Sequence, residues 1–166
     1  MSSYDWSKFT ARIDVKARVE DVYAAWTTRG GLERWFLRVA EFTSPEGTIR
    51  DQASPIQKGD RYRWLWHGYD DTVVEQGVIE EANGLEALRF TFAGACFVSV
   101  AIEDQGGRTI VELRQENIPL DEASRVNYHL GCMTGWVFYL ANLKSILEGG
   151  LDLRNKNERL SKLVNS

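Results

Sequence analysis

Alternation dominates the first part of the chain. From Phe9 to Ala17, Phe9, Ala11, Ile13 and Val15 fall on one side and Thr10, Arg12, Asp14 and Lys16 on the other. That is the period of a half-buried strand. Glu20 and Asp21 then open a helix with acids where its dipole favours them. Val19, Val22, Tyr23 and Trp26 supply its apolar face, and Gly30-Gly31 is expected to break it. Leu32 to Leu37 reads as a second short helix. Strand patterns follow: Val39 to Thr43, Asp60 to His67, Thr72 to Glu81, Ala87 to Phe92, Cys96 to Glu103 and Thr109 to Gln115. Tyr62, Trp64 and Trp66 share one face of the second of these, and Leu88, Phe90 and Phe92 one face of the fourth. Between the first two, Ser44 to Lys58 holds Pro45 and Pro55 and reads as a long loop or a broken hairpin. Ala82-Asn83-Gly84 makes a turn. Asp104-Gln105-Gly106-Gly107 makes a hairpin with glycine available for positive φ.

Pro119 stops the last strand and Asp121 starts a helix of about 25 residues that ends at Glu148, before Gly149-Gly150. Its apolar positions form two stripes. One is His129, Met133, Trp136, Leu140, Leu143 and Leu147; the other is Tyr128, Cys132, Gly135, Tyr139 and Ile146. Together they are wider than a surface helix needs. Consecutive strands with short turns give an antiparallel sheet, and one broad helix is left to cover it. The expected class is α+β.

Composition narrows the function more than the fold. The 166 residues carry 20 Lys and Arg against 24 Asp and Glu, a formal charge of −4. Such a balance disfavours a nucleic-acid module, which needs a clustered positive surplus. With 43% apolar residues, disorder is excluded. Val126 to Leu143 is an uncharged run of 18 residues, but Asn127, His129, Thr134 and Asn142 make it costly in hydrocarbon. It is read as a deeply buried helix of a soluble protein, with no membrane span. No apolar leader precedes Phe9, so a cytoplasmic location is expected. Cys96 and Cys132 are the only cysteines; they read as small buried hydrophobes in a reducing compartment.

The chain lacks the spacings that chemistry usually demands. His67 and His129 stand far apart without H-x-x-x-H or paired cysteines, so no metal is expected. No phosphate loop and no G-x-S-x-G occur, and no cofactor is expected. Asp70, Asp71 and Glu75 form an acidic group that reads as solvated. Glu112, Arg114 and Glu116 read as an exposed charged face. His67, at a strand end, reads as exposed. His129 has two readings: a general acid, base or ligand-orienting group near neutral pH, or a core histidine held by a carbonyl or a neighbouring side chain.

The order of elements resembles the helix-grip fold of START domains, the birch pollen allergen and the SRPBCC superfamily. One branch is closer: the family named after the C-terminal domain of the activator of the ninety-kilodalton heat-shock chaperone's ATPase. The matching motifs are the Val19 to Thr27 helix with Trp26, the Trp35-Phe36 pair, and the Gly59-Asp60-Arg61-Tyr62-Arg63-Trp64 strand. The most specific is the helix pattern Gly135, Trp136, Leu140, Leu143, Lys144, Leu147 and Glu148. The chain departs from the family at Asp60, which replaces a glycine, and at Gln115, where a histidine is frequent. The resemblance implies one helix-grip domain over residues 1–150 and a polar tail over 151–166. It also implies a cavity between a sheet of six to seven strands and the last helix. The inward candidates are Tyr62, Trp64, Trp66, Phe90, Phe92, Phe97, Gln115, His129, Met133 and Trp136, with Trp35 and Phe36 near the mouth.

Three functions follow from the resemblance. The first is binding of an apolar or aromatic small molecule or lipid. The second is a stress role linked to a heat-shock chaperone partner. The third is a cofactor-free cyclase, aromatase or dehydratase of polyketide type, with His129, Gln115 or Tyr128 in acid–base work. The chain is expected as a monomer or a homodimer, for which Tyr4, Trp6 and Trp35 are candidate exposed aromatics.

Overall fold

The computed structural model describes residues 3–160 and 162–164. Strand β1 (Phe9–Val15) is followed by helices α1 (Val19–Thr27) and α2 (Arg29–Trp35). Then come β2 (Val39–Thr43), β3 (Arg61–Leu65), β4 (Val74–Ala82), β5 (Ala87–Phe92), β6 (Cys96–Gln105) and β7 (Arg108–Glu116). The last helix comprises α3 (Glu122–Ser124), a π-helical stretch (Arg125–Gly131) and α4 (Cys132–Leu147). The strands form one antiparallel sheet in the order β1-β7-β6-β5-β4-β3-β2. The last helix lies across its inner face with α1 and α2. This is the helix-grip architecture that the pattern of elements predicts.

The break between α1 and α2 falls at Thr28, not at the glycines. Thr28 leaves the helical region (φ −126°, ψ 152°), and its side chain accepts from the Gly31 amide. Gly30 and Gly31 lie inside the first turn of α2. A Cβ at Gly31 would stand 2.4 Å from the Ala24 carbonyl oxygen, so close approach of α1 fixes that glycine.

Asp60, one of the two departures from the family, has a structural use. It is fully buried and forms a two-pronged ion pair with Arg50, one arm at 2.8 Å. It also accepts from the Gln57 amide at 2.9 Å. The pair pins the 44–58 segment, whose one bridge, Thr43 to Ile49, makes it the broken hairpin.

The last helix is not a regular α-helix throughout, and it is not buried all round. Its π-helical stretch bonds i to i+5, so spacings of three and four do not carry across it. One face packs on the core, while Val126, Leu130 and Val137 are exposed on the other. The expectation of a deeply buried helix therefore holds for one face only. Among the described residues no helix is long and apolar enough to cross a membrane.

Beyond Gly150 the chain stays attached to the fold. Asn142, fully buried, donates to the Trp35 carbonyl at 2.7 Å and accepts from the Leu153 amide at 2.8 Å. The buried Arg154 guanidinium donates to the carbonyls of Glu33, Arg34 and Leu37, at the end of α2, and pairs with Asp152. A cation at a helix C-terminus meets the carbonyls that the helix leaves unsatisfied.

Candidate functional site

The interior between sheet and helix is filled by rings. Tyr62 stacks on Trp64 at 3.9 Å between centroids, and Trp64 meets Phe90 edge-on at 5.3 Å. Phe36 and Phe92 reach Trp136 at 5.0 and 5.2 Å, and Trp26 meets Trp35 at 4.6 Å. Tyr62, Trp64, Phe90 and Trp136 are all buried. Such contacts add to the stabilisation from area burial.

A groove of about 540 Å3 runs between the β3–β4 connection and the last helix. Trp66, Tyr69 and Val73 form one wall; Leu130, Gly131, Thr134, Gly135 and Tyr139 form the other. Val164 closes one end. Small residues open it: a Cβ built at Gly135 meets nothing within 4 Å. Its lining is mostly apolar with a few polar atoms, the composition of a small-molecule site.

Glu75 lies on β4. It is paired across the strands with Trp64, so the two share the inner face. One carboxylate oxygen accepts from the Ala93 amide at 2.9 Å. Burial pushes its pKa above the usual carboxylate value. The Ala93 bond opposes that shift, and the charge in turn helps raise the neighbouring Tyr62 hydroxyl. Ala93 itself takes a positive φ of 53° in the β5–β6 turn, and the Glu75 bond supports that turn.

Gln115 is fully buried and fully used. Its carbonyl oxygen accepts from Trp136 Nε1 at 3.0 Å, and its amide donates to the Tyr128 carbonyl at 3.2 Å. The Cys132 thiol donates to the Asn127 carbonyl at 3.7 Å. Burial raises the pKa of the Cys96 thiol and holds that of Cys132 up at about 11.

His129 shows the second of its two readings. It is fully buried. Its Nδ1 lies 3.0 Å from the Trp6 carbonyl, which can only accept, so Nδ1 carries the hydrogen. Nε2 lies 2.8 Å from the Tyr4 hydroxyl and forms the second hydrogen bond of the ring. Tyr4, Trp6 and Phe9 pack edge-on around the ring. Both nitrogens are engaged by the N-terminal segment and none faces the groove.

Other candidates also change place. Trp35 is buried rather than at the mouth or on an exposed dimer patch, and donates to the Ala25 carbonyl at 2.9 Å. Phe36 is buried with it. Phe97 is on the outer face of the sheet. Cys96, Val98, Val100 and Ile102 take the inner positions of β6, and Arg89 lies 4.5 Å over the Phe97 ring. The hairpin register put the alternation one residue from where the aromatic residue suggested. Trp66 lines the groove, while Phe92 and Met133 are half-buried against the core. His67 is half-buried, and burial lowers its pKa. Among the described residues no three acids, cysteines or histidines gather as a metal site would require.

Sequence reasoning missed Tyr69, Val73, Leu130, Gly131, Thr134 and Tyr139, and it assigned Glu75 to a solvated acidic turn. Alternation held the signal for Glu75. It shares a face of β4 with Gly77 and Ile79, an acid in an otherwise apolar row.

Comparison with known proteins agrees with this geometry. Residues 16–148 match the family model described as "Activator of Hsp90 ATPase homolog 1-like protein". No curated protein matches the chain. Among solved structures, protein SSP2350 of Staphylococcus saprophyticus superposes with a TM-score of 0.69 at 20% identity, over 89% of this chain and 96% of that one. The Aha1 dimer of Colwellia psychrerythraea gives 0.65 at 20% identity, over 86% and 97%. DynU16, from the dynemicin biosynthetic locus, gives 0.66 at 17% identity, over 90% of this chain and 50% of that one. At these identities the likeness is one of fold.

Proposed function

The chain belongs to the family of activator of Hsp90 ATPase homolog 1-like proteins, and from that premise we propose that it binds an apolar or aromatic small molecule or lipid. The groove beside the last helix carries this reading. Its walls are apolar, its volume suits a small molecule, and two glycines hold it open. The aromatic contacts of the interior favour a site in the groove over one deep between sheet and helix. The occurrence of a structural neighbour in the dynemicin biosynthetic locus supports a small-molecule ligand. The site is taken to work in the cytoplasm without cofactor or metal.

Native mass spectrometry of protein purified from its own host tests the reading. Wild type is expected to retain a ligand mass that Gly135→Phe, which fills the groove, does not. Absence of any bound mass, with no aromatic probe taken up, overturns it.

The family description favours a second reading, a role beside a heat-shock chaperone. The exposed Val126, Leu130 and Val137 stripe is the face such a partner would meet. An unchanged ATPase rate of the cognate chaperone in the presence of the protein removes this reading. A cyclase role through His129 finds no support, since that ring is sealed from the groove by Tyr4 and Trp6.

A further inference from the structure

The uncharged run from Val126 to Leu143 accounts for itself only on its buried side. Trp136, Leu140 and Leu143 are buried and have no use for charge. Val126, Leu130, Thr134 and Val137 are exposed, where charged residues are ordinarily found. The chain carries 20 Lys and Arg and 24 Asp and Glu, yet none stands on this exposed face.

The other parts of the groove repeat the pattern. Tyr69 and Val73 line it, while Asp70 and Asp71 between them do not. Asp70 accepts from the Thr72 amide at 2.9 Å, and Asp71 pairs with Arg38. Arg38 is also bonded to the Trp66 carbonyl at 3.2 Å. In the tail, Val164 lines the groove and Lys162 does not. Three separate segments thus keep their charges off the lining, and none of its nine residues is Asp, Glu, Lys, Arg or His. Thr134 adds a hydroxyl whose proton is committed to the Leu130 carbonyl at 2.8 Å. Other clefts on this surface differ. The one across β2, β3 and β4 is lined by Glu41, Arg61 and Arg63, and the one beside β7 by Lys8, Arg89 and Arg114.

We propose, resting on the ligand-binding reading, that the groove takes an uncharged aromatic compound and rejects the same ring system bearing a carboxylate or an ammonium group. A charge placed between these walls would leave water and find no partner charge on the lining. Rings stand on both sides, Trp66 and Tyr69 on one wall and Tyr139 on the other. An aromatic guest can meet them edge-on or offset.

Equilibrium dialysis of the full chain near neutral pH tests the assignment with three probes of one ring system: methyl 2-naphthoate, 2-naphthoate and 2-naphthylmethylammonium. The ester is expected to bind at least about tenfold more tightly than either ion. Thr134→Lys adds one cation to the helical wall, at an exposed position in a run that holds no acid to neutralise it. In that variant the carboxylate is expected to gain on the ester by about threefold or more, and the ammonium to lose ground. Opposite shifts for the two ions are not what a loosened fold would give. Equal affinity of the wild type for the ester and either ion overturns the assignment and leaves the groove reading standing. Unchanged ratios in Thr134→Lys put the discrimination outside the groove and overturn the assignment as well. Failure of the wild type to bind any of the three overturns the groove reading itself. The wild-type comparison needs no variant, so it holds even where the substitution impairs folding.

Discussion

His129 and Leu130 are neighbours in the π-helical stretch, yet they belong to opposite flanks of the molecule. The His129 flank is sealed. Tyr4, Trp6 and Phe9 surround the ring, and each of its nitrogens has a partner. The Leu130 flank is open. Leu130 is exposed and the groove continues past Gly131 and Gly135. Behind the sealed flank every polar group named has its hydrogen bond, Gln115 included. Glu75, opposite Trp64 on the inner face of the sheet, is half-buried, and that burial raises its pKa. A paired polar group in a core specifies the packing.

The comparison can be broken most severely at His129. His129→Ala removes a buried ring and two hydrogen bonds and frees the N-terminal segment. Unfolding stability is expected to fall by about 3 kcal/mol, read by urea denaturation, while probe binding in the groove of the folded fraction is retained. Loss of binding at unchanged stability would reverse the roles given to the two flanks. Gly135→Phe makes the opposite change. Dialysis is expected to show at least about tenfold weaker binding, the equivalent of about 1.4 kcal/mol. Its melting temperature should hold or rise, because glycine is a poor residue within a helix. Tyr4→Phe removes only the hydroxyl that meets His129 Nε2, at an exposed residue. A stability loss of up to ~1 kcal/mol is expected, with no change in binding.

The smallest effect sharpens the contrast by pH. The Glu75 pKa is raised above 4.5 in the fold, so the native state holds that proton more tightly than the unfolded chain. Stability from this group is present below the unfolded pKa and is lost as pH rises through the folded one. Glu75→Gln keeps the acceptor for the Ala93 amide and carries no charge. Its melting temperature is expected to exceed that of the wild type by a few degrees at pH of about 7, and to converge with it near pH of about 4. A constant difference across that range would mean that Glu75 is not held at a raised pKa.

Much of the fold was legible because each element announces itself locally. Alternation marked the strands; Gly106-Gly107, both with positive φ, marked the β6–β7 turn; the Trp136, Leu140 and Leu143 row marked the buried side of α4. The site was less legible. Trp66 was among the candidates for it, but Tyr69 lies in a loop, Leu130 in a helix and Val164 in the tail, and no period links them. Phe97 was misplaced because an aromatic residue at a strand start does not fix which face the strand turns inward. Trp35 was misplaced because its own hydrogen bond to the Ala25 carbonyl, made through the α1–α2 break, draws it into the core.

The sequence by itself determined the α+β class, the order of strands and helices and the aromatic content of the core, since those depend on period and residue type over a few neighbours. Only the tertiary structure decided that a groove lies beside the last helix, that both nitrogens of His129 find partners in the N-terminal segment and that Trp64 and Glu75 stand opposite each other on the inner face of the sheet. Those facts depend on which distant segments reach a polar atom first, and a donor or acceptor is spent or left free only when the folded chain has settled its partners.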